Sequence, residues 1–227
     1  SDGNHVRRLQ AELAALDTAI MEVTEDQGES TQAYSALEEQ LEMLQSNLKD
    51  IEDEQISVSE RLAQIEKDDL NARQKANVYV NRLHTIKRYM EKRNLPGIPQ
   101  SFLKLFFTAS HNTEDLMAEL EQPQVNIESV KRILEVATND MEALETETYD
   151  IVQYATLTEQ LLQYSNRYRS FDERIQEAFN EALEIFEKEF DYQASFEKIS
   201  QALEVAEPGV TNRFVTSYEK TREAIRF

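Results

Sequence analysis

Cysteine and tryptophan are absent from the 227 residues, glycine and proline number only four each, and histidine three. Without cysteine there is no disulfide framework and no thiolate site, which agrees with a reducing compartment. Four scattered glycines cannot furnish a phosphate-cradling loop. His5, His84 and His111 lie far apart and form no His-Glu-x-x-His grouping, so no metal motif is present. His84 falls off the apolar seam described below and reads as a solvated histidine. No apolar run reaches membrane-spanning length, and the opening SDGNHVRRLQ has no signal-peptide core. A membrane-anchored native protein would therefore carry its anchor outside this chain. Positive charge is also scarce: 24 Lys and Arg face 44 Asp and Glu, a net charge of −20. Such a surface repels phosphate backbones and anionic lipid heads, which argues against a nucleic-acid partner. The carboxylates are spread over helix faces rather than paired. The expectation is a non-enzymatic protein with no cofactor and no small-molecule substrate.

What remains is the composition of long helices, 40% hydrophobic and 30% charged. From Tyr34, apolar residues recur at alternating steps of three and four: Leu37, Leu41, Leu44, Leu48, Ile51, Val58, Leu62 and Ile65. The same register continues through Ala72, Ala76, Tyr79, Leu83, Ile86 and Met90, with Gln55 and Asp69 as the breaks. Neither Pro nor Gly occurs between Gly28 and Pro96. The spacing predicts one uninterrupted helix of roughly 60 residues, hence about 90 Å long. Upstream, Val6, Leu9, Leu13, Leu16, Ile20 and Val23 repeat the pattern, and residues 24–30 offer a turn with Ser30 or Thr31 as N-cap.

Downstream, Asn94-Leu95-Pro96-Gly97-Ile98-Pro99 is a stop. A helix follows from about Gln100 to Glu121, with Phe102, Phe106, Ala109, Leu116 and Leu120 on one face. A further heptad run joins Ile127, Val130, Leu134, Ala137, Met141, Leu144, Thr148, Ile151, Ala155, Thr158 and Leu162. Beyond it lie shorter, Phe-rich segments at 171–190, 192–206 and 209–226. Residues 186–209 resemble half of a tetratricopeptide repeat, but a solenoid needs about three such units. A helical hairpin that caps the rod fits better.

The expected fold class is all-α: elongated antiparallel helical bundles, spectrin-like repeats joined by a long continuous helix, ending in a short helical hairpin region. The expected units are an incomplete repeat over 1–68, a three-helix repeat over 69–165 and a short-helix cap over 166–227. Periodicity leaves open whether the exposed seam of the half-repeat closes within the chain or in a homodimer.

Two basic clusters interrupt the acidic pattern. Arg82, Lys87, Arg88, Lys92 and Arg93 surround a single acid, Glu91. Cations near a helix C-terminus each gain about 0.3–1 kcal/mol from the macrodipole, which suits Lys92 and Arg93. The others point to a contact with the acidic helix 126–165 or to a partner. The second cluster is LLQYSNRYRS, residues 161–170: seven acids and no Lys or Arg separate Arg132 from Arg167, and then Arg167 and Arg169 appear beside Tyr164 and Tyr168. The arginines could cap the preceding helix while the tyrosines pack. Tyr and Arg also dominate protein–protein hot spots. Both readings stay open on the residues alone.

The segments NLPGIPQSFLKLFF (94–107), LLQYSNRYRS (161–170) and ALEVAEPG (202–209) resemble the EzrA family, the septation ring formation regulators of Gram-positive bacteria. The resemblance covers essentially the whole chain, as the C-terminal part of a longer protein. It implies a cytoplasmic rod of spectrin-like repeats held at the membrane by an N-terminal transmembrane helix absent here. It also implies binding to the tubulin-like protein FtsZ and other divisome proteins, and restraint of ring formation at the division septum. The family's patch of Gln, Asn, Arg and Tyr, associated with mid-cell localisation, matches Gln163, Asn166, Arg167, Tyr168 and Arg169, with Tyr164 adjacent.

Overall fold

A computed structural model describes residues 2–25, 30–58 and 67–222. Eight α-helices and no strand occur among them: α1 (Asp2–Glu25), α2 (Ser30–Val58), α3 (Lys67–Lys92), α4 (Gln100–Leu120), α5 (Ile127–Tyr164), α6 (Glu173–Glu184), α7 (Tyr192–Ala206) and α8 (Val210–Thr221). The protein is an all-α helical bundle. Asn126 caps α5 by accepting from Ser129 N at 3.2 Å, and Pro99 opens α4, where a missing N–H costs nothing.

The apolar seam is buried as its spacing predicts, including Leu37, Leu41, Leu44, Leu83, Ile86 and Met90. The single helix over residues 31–93 does not hold. Lys87 Nζ on α3 lies 2.7 Å from Glu38 Oε2 on α2, whereas on one straight helix they would stand on the order of 70 Å apart. The helices instead run antiparallel and side by side. An apolar stripe fixes what must be buried but not what covers it, so both arrangements satisfy the same heptads. Leu62 and Ile65, at the junction, and the turn at 26–29 lie outside the described residues.

Helix α4 is the centre. It packs against α1, α2, α3 and α5, and its burial extends beyond the expected face to Leu103, Phe107, Thr113, Glu114 and Met117. A helix enclosed by four others needs an apolar surface nearly all round. Phe102, Phe106 and Phe107 are fully buried, each contributing about 1.5–3 kcal/mol by leaving water. The heptad break at Asp69 is buried and paired with Arg73 at 2.9 Å. One apolar cluster runs from Leu16 to Tyr192, drawing on residues from both sides of residue 68.

The first basic cluster is split: Lys87 is buried and Arg82 half-buried, whereas Arg88, Lys92 and Arg93 are exposed. Arg82 reaches Glu145 on α5 at 3.3 Å, Arg93 bonds Thr156 on α5, and Lys87 bridges Glu38 and Glu91. The contact with the acidic helix is real for Arg82 and Arg93, and Glu38 on α2 is a partner the sequence did not point to. His84 is half-buried rather than solvated, and burial lowers its pKa. The fold-back brings α2, with Glu38, against it.

A second cluster joins the end of α5 to α6, α7 and α8 through Leu161, Ile175, Ala182, Ile199, Leu203 and Val210. Helices α6 and α7 form the expected hairpin, with Ser195 Oγ donating to Ala182 O at 2.8 Å. Between them the chain passes through a π-turn, and Phe190 sits in the left-handed region at φ 58°. Its ring lies over Gly97, where a Cβ would overlap it. Tyr192 donates to Gly97 O at 2.6 Å. The NLPGIP loop therefore seats the cap on the bundle.

Candidate partner-binding surface

Helix α5 ends at Tyr164, and one 3-10 turn over Ser165–Arg167 redirects the chain. Ser165 Oγ donates to Leu162 O at 2.6 Å, while Tyr168 N and Arg169 N donate to Ser165 O at 2.9 and 3.1 Å. Backbone and serine thus serve the helix end. The hydrogen bonds of the Arg167 and Arg169 side chains go to other side chains.

The turn brings five of the six sequence-predicted residues together. Tyr164 and Tyr168 are half-buried with ring centroids 6.5 Å apart. The Arg167 guanidinium stacks over the Tyr164 ring at 4.6 Å and is otherwise exposed. Arg169 is held more firmly: it covers the Phe179 ring at 3.5 Å and donates to Asn166 Oδ1 at 2.9 Å and to Gln176 Oε1 at 3.2 Å. Gln163 is exposed on α5 and stands apart from this network among the described residues.

The centre of the network is a residue the sequence reading missed. Glu207, after α7, accepts from Tyr164 OH at 2.7 Å, Tyr168 OH at 2.6 Å and Arg213 Nη2 at 2.6 Å. Donated bonds from Tyr164, Tyr168 and Arg213 stabilise its charged form and hold its pKa down at about 2. The same bond raises the Tyr168 pKa. Phe214 on α8 packs edge-on to Tyr164 at 5.1 Å. Phe171 stands against Tyr168 at 6.0 Å yet remains 73% exposed. Glu207 lies in the ALEVAEPG ending, 39 residues beyond Tyr168, and no local spacing joins the two.

Chemically the surface offers an exposed guanidinium, a large exposed aromatic and two half-buried tyrosines fixed by one carboxylate. That is the equipment of a docking face. Elsewhere, the fold brings His5, Glu54 and Glu121 within 4.8 Å of one another, a grouping that no sequence spacing announces. No described helix is long and apolar enough to cross a membrane.

A model of the septation ring formation regulator EzrA matches residues 1–218. The chain is 85% identical over 224 residues to septation ring formation regulators EzrA of Streptococcus pneumoniae strains Hungary19A-6, G54 (serotype 19F) and D39 (serotype 2), covering 99% of this chain and 39% of each relative. It thus spans well under half the length of the curated relatives it matches. No solved structure matches it. The chain belongs to the EzrA family of septation ring formation regulators.

Proposed function

We propose that this chain is part of a non-enzymatic regulator of bacterial cell division, and that its cap, residues 166–227, docks FtsZ or another divisome protein. Arg167 pairs with acidic groups of the partner, and the Tyr168–Phe171 aromatic pair supplies the apolar contact. In the whole protein an N-terminal transmembrane helix outside this chain holds the rod at the cytoplasmic face of the division septum. The observation that carries the reading is the exposed Arg167, over Tyr164, and the exposed Phe171, against Tyr168, in a chain of net charge −20. A basic and aromatic face on an acidic body attracts an acidic partner and orients it.

A second reading has its own support. Tyr164, Tyr168 and Arg169 all have partners within the chain, as a purely structural spacer would require. Co-sedimentation with GTP-assembled FtsZ separates the two. Arg167→Glu reverses the exposed charge and leaves Arg169 on Phe179, giving up only the Arg167–Tyr164 contact among the described residues. Binding by the parent and loss in Arg167→Glu, at unchanged helicity, supports docking through the patch. Equal binding by both proteins moves the FtsZ contact elsewhere on the bundle. An Arg167→Ala, Arg169→Ala pair is less decisive, because it also removes the Arg169–Phe179 stack.

A further inference from the structure

Ligating groups from three helices converge at the end of the bundle beside residue 121. His5 comes from α1, Glu54 from α2, and Glu121 is the C-cap of α4. The Glu121 side chain is 5% exposed, and neither of its oxygens has a hydrogen-bond partner. Its close neighbour is His5 Nε2, 2.6 Å from Oε1, near enough for an ion pair but outside hydrogen-bond geometry.

A hydrogen bond from His5 would complete that pair, yet the geometry opposes it. The Arg8 guanidinium also approaches the same Nε2 at 3.1 Å. A nitrogen that accepts from Arg8 presents a lone pair and cannot also donate to Glu121. The Nε2 edge of His5 thus faces the Arg8 guanidinium and the buried Glu121 carboxylate together, with the Glu54 carboxylate alongside, and a cation seated there takes the place of Arg8. Buried acceptors left without a donor are costly, and most such groups in folded proteins find a partner.

We propose that His5, Glu54 and Glu121 bind a first-row divalent cation, zinc by preference, which clamps α1 to the adjoining ends of α2 and α4. One imidazole nitrogen and two carboxylate oxygens suit zinc and leave a coordination position for water. Ligand atoms around tetrahedral zinc lie roughly 3.3 Å apart, so the His5–Glu121 contact has to relax outward only slightly. Helix α1 gains most from such a clamp. Of its described residues only Leu9 and Leu16 are buried, and its polar contacts with α2 run through Arg8–Asp50 at 2.8 Å and Glu12–Asn47 at 2.5 Å.

The test is calorimetric titration of zinc chloride into this chain, paired with thermal melts with and without zinc. The variants are Glu121→Gln, His5→Ala and Glu52→Gln, the last an exposed acid of α2 outside the site. The parent is expected to take up a single tight zinc ion and to melt at higher temperature with it. Glu121→Gln and His5→Ala should each weaken uptake by more than the roughly 10- to 100-fold that loss of an outer-sphere partner costs, while Glu52→Gln leaves it unchanged. Absence of tight uptake overturns the proposal. So does uptake that survives both site variants, since zinc is then held by the acidic surface at large. A Glu121→Gln variant that lowers the melting temperature equally with and without zinc reduces the contact to an ion pair and overturns the clamp. His5→Ala keeps the test decisive should Glu121→Gln lose helicity.

Discussion

Glu114 in the bundle and Glu207 in the cap meet opposite surroundings. Glu114 lies inside α4 among apolar neighbours, with one donor, Gln40 Nε2, at 2.7 Å, and its second oxygen has no partner. Burial pushes its pKa up to about 8 despite that bond. Glu207 is half-exposed and receives two tyrosine hydroxyls and a guanidinium, and its pKa falls to about 2. The same side chain is thus steered toward neutrality in one region and toward charge in the other. Organised donors, more than burial alone, make the difference. The bundle derives its stability from apolar enclosure and tolerates single polar groups. The cap is shaped by oriented polar and aromatic groups, which a partner can reach.

The sharpest contrast should come from two phenylalanines. Phe106→Ala removes a fully buried ring from the central helix and should cost about 3–5 kcal/mol by urea denaturation. Phe171→Ala, at an exposed ring of the cap, should stay within about 0.5 kcal/mol of the parent. A large loss from Phe171→Ala would mean that the cap has an apolar core of its own at that edge.

Gly97 tests whether the regions stand or fall together. A methyl group there meets the Phe190 ring, and both Tyr192 contacts run to the same residue. Gly97→Ala should cost about 1–3 kcal/mol through overpacking. Hydrogen exchange should accelerate in α7 before α2. Uniform acceleration would show the seam to be one cooperative unit.

The sequence made the elements legible because caps and breaks act locally. The Pro99–Gln100 start and the three short C-terminal helices fall where the residues indicate, and the Asn126 cap is a local feature of the same kind. Pairing was less legible. The heptads from Leu37 to Met90 are equally satisfied by one long helix and by two that fold together, and contacts between α2 and α3 such as Lys87–Glu38 distinguish them. Around the patch, composition singled out Tyr164, Asn166, Arg167, Tyr168 and Arg169. Their organiser, Glu207, lies in a different helix end, and nothing local to LLQYSNRYRS points to it. Arg213 and Phe179 were hidden for the same reason.

The two glutamates also predict opposite pH slopes. Glu114 carries a folded pKa above its ordinary 4.5, so its folded form holds more protons than the unfolded chain. Its contribution is fully present below pH 4.5 and is lost as pH rises through about 8. Glu207 runs the other way: its contribution is present above pH 4.5 and is lost as pH falls toward about 2. Glu114→Gln should flatten the alkaline slope and leave stability at pH 5 within about 1 kcal/mol of the parent, since the amide keeps the neutral shape. Glu207→Gln should flatten only the acid slope. Stability measured from pH 3 to pH 9 in both variants checks the pair, and an unchanged alkaline slope in Glu114→Gln would assign it to other groups.

The smallest effect on stability belongs to the residue on which docking most depends. Arg167 is exposed, and among the described residues its guanidinium engages the Tyr164 ring and hydroxyl, so Arg167→Ala should change stability by less than about 0.5 kcal/mol. Arg169 is half-buried on Phe179 and tied to Asn166 and Gln176, so Arg169→Ala should cost about 1 kcal/mol through the lost cation–π contact. Two arginines two residues apart therefore separate by role: one holds the cap and the other faces outward. Measuring melts and FtsZ co-sedimentation on both single variants makes the distinction quantitative. If Arg167→Ala weakens binding at an unchanged melt, and Arg169→Ala lowers the melt in proportion to any binding it loses, the outward arginine is the contact. If binding instead follows stability in both variants, the cap acts through its shape, and the guanidinium of Arg167 is not what the partner reads.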